Sequence, residues 1–117
     1  MTAARLAEDA GELEHAVDLY RRTLGLWPDD GFARGALHAA LRRLGRWSEL
    51  ATSLRHHSER AGTVDEASRG LHEAAWVLED RVGSAAAARV MYGQILDRAP
   101  TDGHARDMLD LKVDGRT

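Results

Sequence analysis

The sequence of 117 residues contains no cysteine, only two prolines and few aromatic residues. Without cysteine the chain can form neither a disulfide framework nor a thiolate zinc site, which suits the cytoplasm, the expected location. The longest purely apolar run, Ala85–Ala88, is far too short to cross a bilayer. Because the first ten residues also lack the apolar run of a secretory signal, we expect neither export nor membrane insertion.

A concentrated basic face is also missing. Sixteen Lys and Arg residues stand against nineteen Asp and Glu residues, for a formal net charge of -3, and both signs are spread along the chain. Phosphate binding draws on a clustered stripe of Lys and Arg, so nucleic acid is not an expected partner. The length fits one domain, residues 1–117, large enough to bury its own core.

Apolar residues recur at helical spacing along almost the whole chain. The first stripe, from Leu13 to Leu24, falls at i, i+3, i+4, i+7 and i+11, which places its members on one side of a helix. Similar stripes cover residues 33–44, 47–54, 71–82 and 85–96. No stretch alternates with the period of a β-strand. The pattern predicts an all-α fold of about seven helices.

Glycine, proline and capping residues mark the predicted helix ends. Gly11, Gly45 and Gly83 each separate two stripes, at positions where a left-handed residue ends a helix without a Cβ penalty, so each predicts a hairpin turn. Pro28 and Pro100 follow the second helix of a pair, which proline cannot continue. The predicted N-caps are Asp30, Asp102 and, in the capping box TVDE, Thr63.

One short stretch occurs twice, as PDDGFAR in residues 28–34 and as PTDGHAR in residues 100–106. When residues 11–38 are laid over residues 83–110, ten of 28 positions are identical. A third and more diverged copy surrounds Gly45. The two stretches are therefore predicted to be the same corner of a repeated helical hairpin.

The residues Gly11, Leu13, Ala16, Tyr20 and Pro28 match the spacing of the tetratricopeptide repeat, and the chain resembles that family. The copy at residues 83–100 has alanine at the large position, and the copy at residues 45–62 has Leu for Ala and Gly for Pro. The resemblance implies an α-solenoid of antiparallel helical hairpins in a right-handed superhelix. Its repeats span about residues 1–30, 31–62 and 63–102, followed by a closing helix (103–113) and a short tail (114–117).

In tetratricopeptide proteins the first helix of each pair lines a concave groove that holds a peptide or a partner helix. Carried over by position, the groove residues are Arg5, Phe32, Ala39, Arg42, Arg43, Glu73, Val77, Asp80, Arg81, His104 and Asp107. Arg42 and Arg43, near the end of the predicted helix over residues 33–44, suit an acidic peptide or a C-terminal carboxylate, or else they complement the dipole of a solvated helix end. The Lys and Asn clamp with which some relatives hold chaperone tails is absent, so heat-shock partners are not expected.

The histidines and hydroxyl residues do not form a catalytic or metal-binding pattern. His56 and His57 are adjacent and point about 100° apart on a helix, so they cannot chelate as residues spaced i, i+4 do. His57 is expected to pack in the core, and the other histidines are expected to be solvated. No nucleophile elbow, phosphate loop or HExxH string occurs. We therefore expect no enzyme activity, no metal and no cofactor.

Two classes of function stay open at this stage. The first is a scaffold that binds a protein or peptide partner in the groove. The second is a structural segment of a longer array, or a self-associating module. The opening helix offers little beyond Leu6 to shield Leu13 and Val17, so homo-oligomer formation or attachment to further repeats is expected through the first helical pair. Trp47 is expected in the core, and Trp27 is expected to be half-exposed.

Overall fold

The computed structural model describes residues 3–113 and the side chains of residues 11–110. Over this part of the chain it contains helices and turns and no strand, so the all-α prediction is confirmed. The α-helices are α1 (Ala3–Leu26), α2 (Gly31–Leu44), α3 (Trp47–Glu59), α4 (Val64–Val77), α5 (Ala85–Arg98) and α6 (Gly103–Val113). A π-helical turn, Leu78–Val82, continues α4. Within the described residues, each helix is too short or too polar for a membrane span.

The predicted hairpin turn at Gly11 is wrong, and this explains why the described residues contain six α-helices instead of about seven. Gly11 lies inside α1, whereas Gly45 and Gly83 adopt left-handed backbone angles, with φ of 70° and 79°. Glycine inside a helix costs only about 1 kcal/mol relative to alanine, and helix formers surround Gly11. Ser84 follows Gly83 and caps the next helix, whereas Glu12 follows Gly11 and opens no helix. The first helical pair is therefore one long helix.

The chain divides into two compact units, Met1–Arg46 and Trp47–Thr117, which are called unit 1 and unit 2 below. In unit 1, α1 packs against α2. Its buried apolar side chains are Val17, Ala33, Leu37, Ala40 and Leu41. The sequence predicted that Val17 is poorly shielded, but its side chain is fully buried. Leu6 lies outside the described side chains.

In unit 2, each of α3, α4 and α5 packs against the α-helix that follows it in sequence. The connections are only a few residues long, so successive helices run antiparallel. Alanines form much of the buried surface of these helices, and at Gly70 a Cβ would overlap the Ser58 hydroxyl oxygen. The buried apolar side chains are Leu50, Ala51, Leu54, Ala67, Leu71, Ala74, Ala75, Val77, Ala88, Met91, Tyr92, Ile95 and Ala105.

The predicted caps are confirmed in both units. The Asp30 carboxylate accepts a hydrogen bond from the Ala33 backbone N–H at 3.0 Å, and the Thr63 hydroxyl accepts one from the Glu66 N–H at 3.1 Å. The Asp102 carboxylate accepts from the Ala105 N–H at 3.0 Å. Each of these bonds satisfies a backbone donor that a helix start leaves without an intrahelical partner.

The duplicated stretches, residues 28–34 and 100–106, fold into the same corner, which we call the first and the second corner. In the first, the Asp30 N–H donates to the Trp27 carbonyl at 3.1 Å, and in the second the Asp102 N–H donates to the Ala99 carbonyl at 3.0 Å. The ring that follows each Gly meets the matching tyrosine edge to face: Phe32 lies 6.4 Å from Tyr20, and His104 lies 5.9 Å from Tyr92. The repeat therefore extends to side-chain contacts.

Candidate functional site

The predicted groove residues of unit 1 lie on α2. The Phe32 side chain is 79% exposed, and Ala39, Arg42 and Arg43 are exposed further along the helix. Seven residues, or two helical turns, separate Phe32 from Ala39, so these two side chains share one side of α2. Arg5 falls in α1, and its side chain lies outside the described residues. The side chains described on α2 are accessible to a partner.

Beside the first corner, large apolar side chains are exposed, two of which the groove prediction does not contain. Leu26 and Trp27 are exposed at the end of α1, and Phe32 is exposed at the start of α2. Exposure of Trp27 agrees with the sequence prediction. Exposed large apolar side chains near one another along the chain are candidates for a contact surface.

The predicted groove residues of unit 2 lie on α4, on its π-helical turn and on α6. Asp80, Arg81, His104 and Asp107 are exposed, and Glu73 is half-buried. Val77 is the exception, because only 1% of its side chain is accessible. The prediction of Val77 as a partner-binding residue is therefore wrong, since it belongs to the core.

Trp76 takes the accessible position that was assigned to Val77. Its side chain is 52% exposed, one residue earlier on α4. Neighbouring positions on a helix differ by about 100°, so an error of one residue exchanges an exposed side chain for a buried one. Glu73, Trp76 and Asp80 follow the spacing i, i+3, i+7 and share the exposed side of the helix.

Arg81 lies between two tryptophan rings, and we call Trp47, Trp76 and Arg81 the Trp–Arg cluster. The guanidinium carbon is 4.9 Å from the centroid of the Trp47 ring and 5.7 Å from that of Trp76. Both distances are within the range of a cation–π interaction, which contributes about 0.5–1 kcal/mol at exposed sites. Trp47 is half-buried at the start of α3, so it is not fully in the core as the sequence predicted.

The π-helical turn explains how Arg81 reaches the side of the helix that carries Trp76. In an α-helix, residues five apart are rotated by about 140° relative to each other. A π-helix pairs residues five apart instead of four, which reduces that rotation. The turn ends where the Leu78 carbonyl accepts hydrogen bonds from the Gly83 and Ser84 N–H groups. π-Helical turns are frequent at functional sites.

The guanidinium of Arg81 has donors available for a ligand. Its Nε lies 3.5 Å from the Asp80 Oδ2, and both side chains are about half exposed, so this ion pair contributes little. Within the described part of the chain, Arg81 makes no other ion pair or hydrogen bond. The terminal N–H groups can therefore form the paired hydrogen bonds that guanidinium makes with a carboxylate.

A second group of polar side chains, which we call the histidine cluster, joins α4, α5 and the second corner. It comprises His72, Tyr92, Asp102 and His104. The His72 Nε2 donates to the Asp102 Oδ2 at 2.8 Å, and the His72 ring lies 5.3 Å from that of His104 and 6.4 Å from that of Tyr92. His72 is thus half-buried and hydrogen-bonded, not solvated as predicted, and His38 is buried in α2.

The environment of the histidine cluster shifts two pKa values. The hydrogen bond from His72, and then that from the Ala105 N–H, lower the pKa of the Asp102 carboxyl. Burial, and then the charge of the Glu79 carboxylate, raise the pKa of the Tyr92 hydroxyl, which donates to the Glu79 Oε2 at 3.5 Å. Both carboxylates engage groups from another element, so these contacts hold helices together.

The described residues contain no group of three or more His, Cys, Asp or Glu side chains that is arranged to hold a metal ion. In the histidine cluster, Asp102 is occupied by His72 and by the backbone that it caps. The Trp–Arg cluster, in contrast, presents an exposed ring and available donors. It is therefore the better candidate for binding.

No family model, curated protein or solved structure matches the chain. Membership of the tetratricopeptide family stays a prediction, which rests on the spacing quoted above. Three features of the candidate site escaped sequence reasoning: the accessibility of Trp76, the π-helical turn and the bond between His72 and Asp102. The accessibility of Trp76 could have been predicted from helical spacing, since Trp76 lies three residues after Glu73 and four before Asp80. The π-helical turn and the bond between His72 and Asp102 depend on tertiary contacts.

Proposed function

We propose that this chain is a protein–protein interaction scaffold of the tetratricopeptide-like kind, which binds a peptide or a partner helix and catalyses no reaction. The observation that carries the proposal is the Trp–Arg cluster in unit 2. Trp and Arg are the residues most enriched among those whose truncation weakens protein interfaces most. Trp76 offers apolar area at an exposed position, and Arg81 offers donors beside it.

The partner's chemistry follows from these two side chains. A carboxylate pairs with the guanidinium of Arg81, whose position the two rings hold, and an apolar side chain covers the exposed ring of Trp76. Ordering the arginine before binding reduces the side-chain entropy that binding would otherwise remove. The proposed partner segment therefore carries an acidic residue next to an apolar one.

The test is selection from a displayed library of random peptides on the immobilised protein, followed by affinity measurement of the selected peptides. We expect peptides that combine a carboxylate with an apolar residue. Their affinity falls about tenfold or more with Trp76→Ala and with Arg81→Gln, since one partner of each contact is lost. Arg81→Lys also weakens binding, because an ammonium cannot stack as a planar guanidinium does.

A matched control is Val64→Ala, because Val64 lies at the start of α4 with the same degree of exposure as Trp76. This variant keeps the affinity of the wild type. Circular dichroism verifies that every variant retains its helices. Selection of no peptide, or of peptides that bind wild type and both cluster variants equally, would remove the proposal.

The alternative is a structural or assembly role, and the exposed apolar side chains in and beside the first corner favour it. Leu26, Trp27 and Phe32 together offer a contact surface for a second copy or for further repeats. Sedimentation across concentration tests this role with Trp27→Ser and Phe32→Ser. Association that both changes abolish supports assembly, and a wild type that stays monomeric at high micromolar concentration argues against self-assembly.

A further inference from the structure

Unit 2 has a second accessible apolar surface, a depression between α3 and α5 that the Trp–Arg cluster does not include. Its volume is about 240 Å³. It is lined by Ala51, Thr52, Arg55, Leu78, Ala87, Val90 and Met91. We call it the α3/α5 depression. Leu78 lies two residues after Trp76, a rotation of about 200° on a helix, so the depression lies on the other side of α4 from Trp76.

Small side chains create this space. Both α3 and α5 pack against α4, and alanine at positions 51 and 87 leaves room that a larger residue would fill. Met91 is buried at the depression, and Val90 is 53% exposed beside it. A methionine side chain is flexible and adapts to apolar groups of different shapes. The lining is therefore suited to an incoming apolar side chain.

Arg55 is the one charged residue in the lining. It is half-buried, and within the described residues it forms no ion pair and no hydrogen bond. Glu59 lies one turn further along α3, but it makes no ion pair with Arg55. A partly buried guanidinium without a counter-ion gains from an incoming carboxylate, which supplies charge-assisted hydrogen bonds.

The size of the depression limits what can occupy it. Pockets for drug-sized ligands and cofactors enclose about 300–1,000 Å³, so this volume fits a single side chain better than a whole small molecule. A groove between two helices commonly accepts a third, amphipathic helix through anchor side chains. The chain carries a net charge of -3. Arg55 is nevertheless the only charged residue in the lining, and Glu59 lies one turn away outside it, so the lining itself favours an acidic group.

We propose that the α3/α5 depression binds an amphipathic helix of a partner protein, inserting one aliphatic or aromatic side chain between Ala51 and Ala87. A Glu or Asp one turn from that anchor pairs with Arg55. This surface is independent of the Trp–Arg cluster, so the molecule has two binding faces on opposite sides of α4.

The probe is a displayed library of helical peptides on an alanine-rich scaffold, randomised along one face and selected on the full chain. We expect enrichment of an apolar anchor with Glu or Asp three or four positions away. Ala87→Leu fills the depression and reduces affinity at least tenfold. Arg55→Glu produces a similar loss, and replacing the acidic residue of the peptide by Lys restores binding to that variant.

Matched variants separate this proposal from the proposed function. Trp76→Ala leaves the selected helices bound, and Ala87→Leu leaves ligands of the Trp–Arg cluster bound. Because Ala87→Leu can also disturb packing, the exposed change Val90→Asp provides a second block that does not depend on core rearrangement.

Three outcomes would overturn the proposal. One is selected helices without an acidic preference, and another is binding that persists in both Arg55→Glu and Val90→Asp. The third is concentration-dependent dimerisation of the wild type that Ala87→Leu abolishes, which would assign the depression to a second copy of this chain.

Discussion

The two corners have nearly the same sequence but different surroundings. In each, an aspartate caps the following helix, and the ring after the glycine meets a tyrosine edge to face. In the second corner, α4 also contributes His72, which binds the capping Asp102 and packs against His104. Local sequence therefore determines the cap and the turn, whereas a third helix determines whether the corner becomes part of a polar cluster.

The tyrosines show the same difference. Tyr92 is buried and its hydroxyl reaches Glu79 on the π-helical turn, whereas Tyr20 is only half-buried. Phe32 and the equivalent His104 are both exposed, but among the described side chains Phe32 meets only the Tyr20 ring, whereas His104 meets the rings of His72 and Tyr92. Identical residues at equivalent repeat positions thus gain different amounts of burial. Because its tyrosine is more deeply buried, unit 2 is expected to be the more stable of the two units. Unit 1 is expected to leave more apolar area accessible for binding.

The largest expected effect comes from separating the units. Residues 47–117 alone keep their helical circular dichroism and unfold cooperatively, because four consecutive helices share one core. Residues 1–46 alone are expected to be largely unfolded, since a single pair of helices buries little surface and isolated helices are marginal in water. Thermal unfolding of both fragments checks this. A cooperative transition in the short fragment, or its absence in the long one, would contradict the comparison.

Next in size is the loss of the equivalent tyrosines. Tyr92→Ala is expected to lower the free energy of unfolding by about 3 kcal/mol, the usual range for a buried aromatic side chain. Tyr20→Ala removes a half-buried ring and is expected to lower it by about 1 kcal/mol. Urea denaturation measures both, with Tyr92→Phe as a control that removes only the hydroxyl. Equal losses for the two alanine variants would show that the tyrosines are equally buried in solution.

A glycine in each unit gives opposite predictions. Gly70→Ala is expected to destabilise by about 1–2 kcal/mol, because its Cβ overlaps the buried Ser58 hydroxyl in a tightly packed region. Gly35→Ala is expected to stabilise by about 0.5–1 kcal/mol, because space is open around it and alanine favours helix.

Combining Gly70→Ala with Ser58→Ala should recover most of the loss, since the overlapping oxygen is gone. Chemical denaturation of the single and double variants measures this recovery. If Gly70→Ala stabilises the protein as Gly35→Ala does, then α3 and α4 are further apart in solution than in the structure.

The smallest effect is expected at the cap of the first corner. Asparagine also caps helices well, so Asp30→Asn is expected to change stability very little. Asp102→Asn loses the carboxylate that accepts from His72, which is expected to reduce stability by about 1 kcal/mol at pH 7. The pKa of Asp102 is lowered in the folded chain. The Asp102 carboxylate therefore stabilises the fold above about pH 4, and this stabilisation is lost as the pH falls through the lowered pKa.

Denaturation at several pH values checks the caps. The difference in the free energy of unfolding between wild type and Asp102→Asn should disappear as the pH falls below about 4. In a His72→Gln background, the same substitution should have a smaller effect, because the donor is changed. A gap that is independent of both pH and His72 would show that Asp102 acts only as a cap.

The candidate site was only partly predictable for a physical reason. Asp80 and Arg81 were placed on an accessible helix end by counting repeat positions, and both are exposed. The same counting selected Val77, because an error of one residue turns the helix by about 100°. The contact between Arg81 and two tryptophans depends on a π-helical turn and on α3, which lies at a distance along the sequence.

By itself, the sequence determined the helical class, the capped corners and the left-handed glycines, because these depend on residues within one or two helical turns of each other. The prediction of a helix break at Gly11 was wrong because glycine only weakens a helix, whereas ending a helix requires a cap or a competing contact. Only the tertiary structure decided that His72 reaches Asp102, that Arg81 lies between two rings and that alanines leave a depression beside Arg55. These features join side chains from different helices, and helix packing, not local spacing, sets the distances between them.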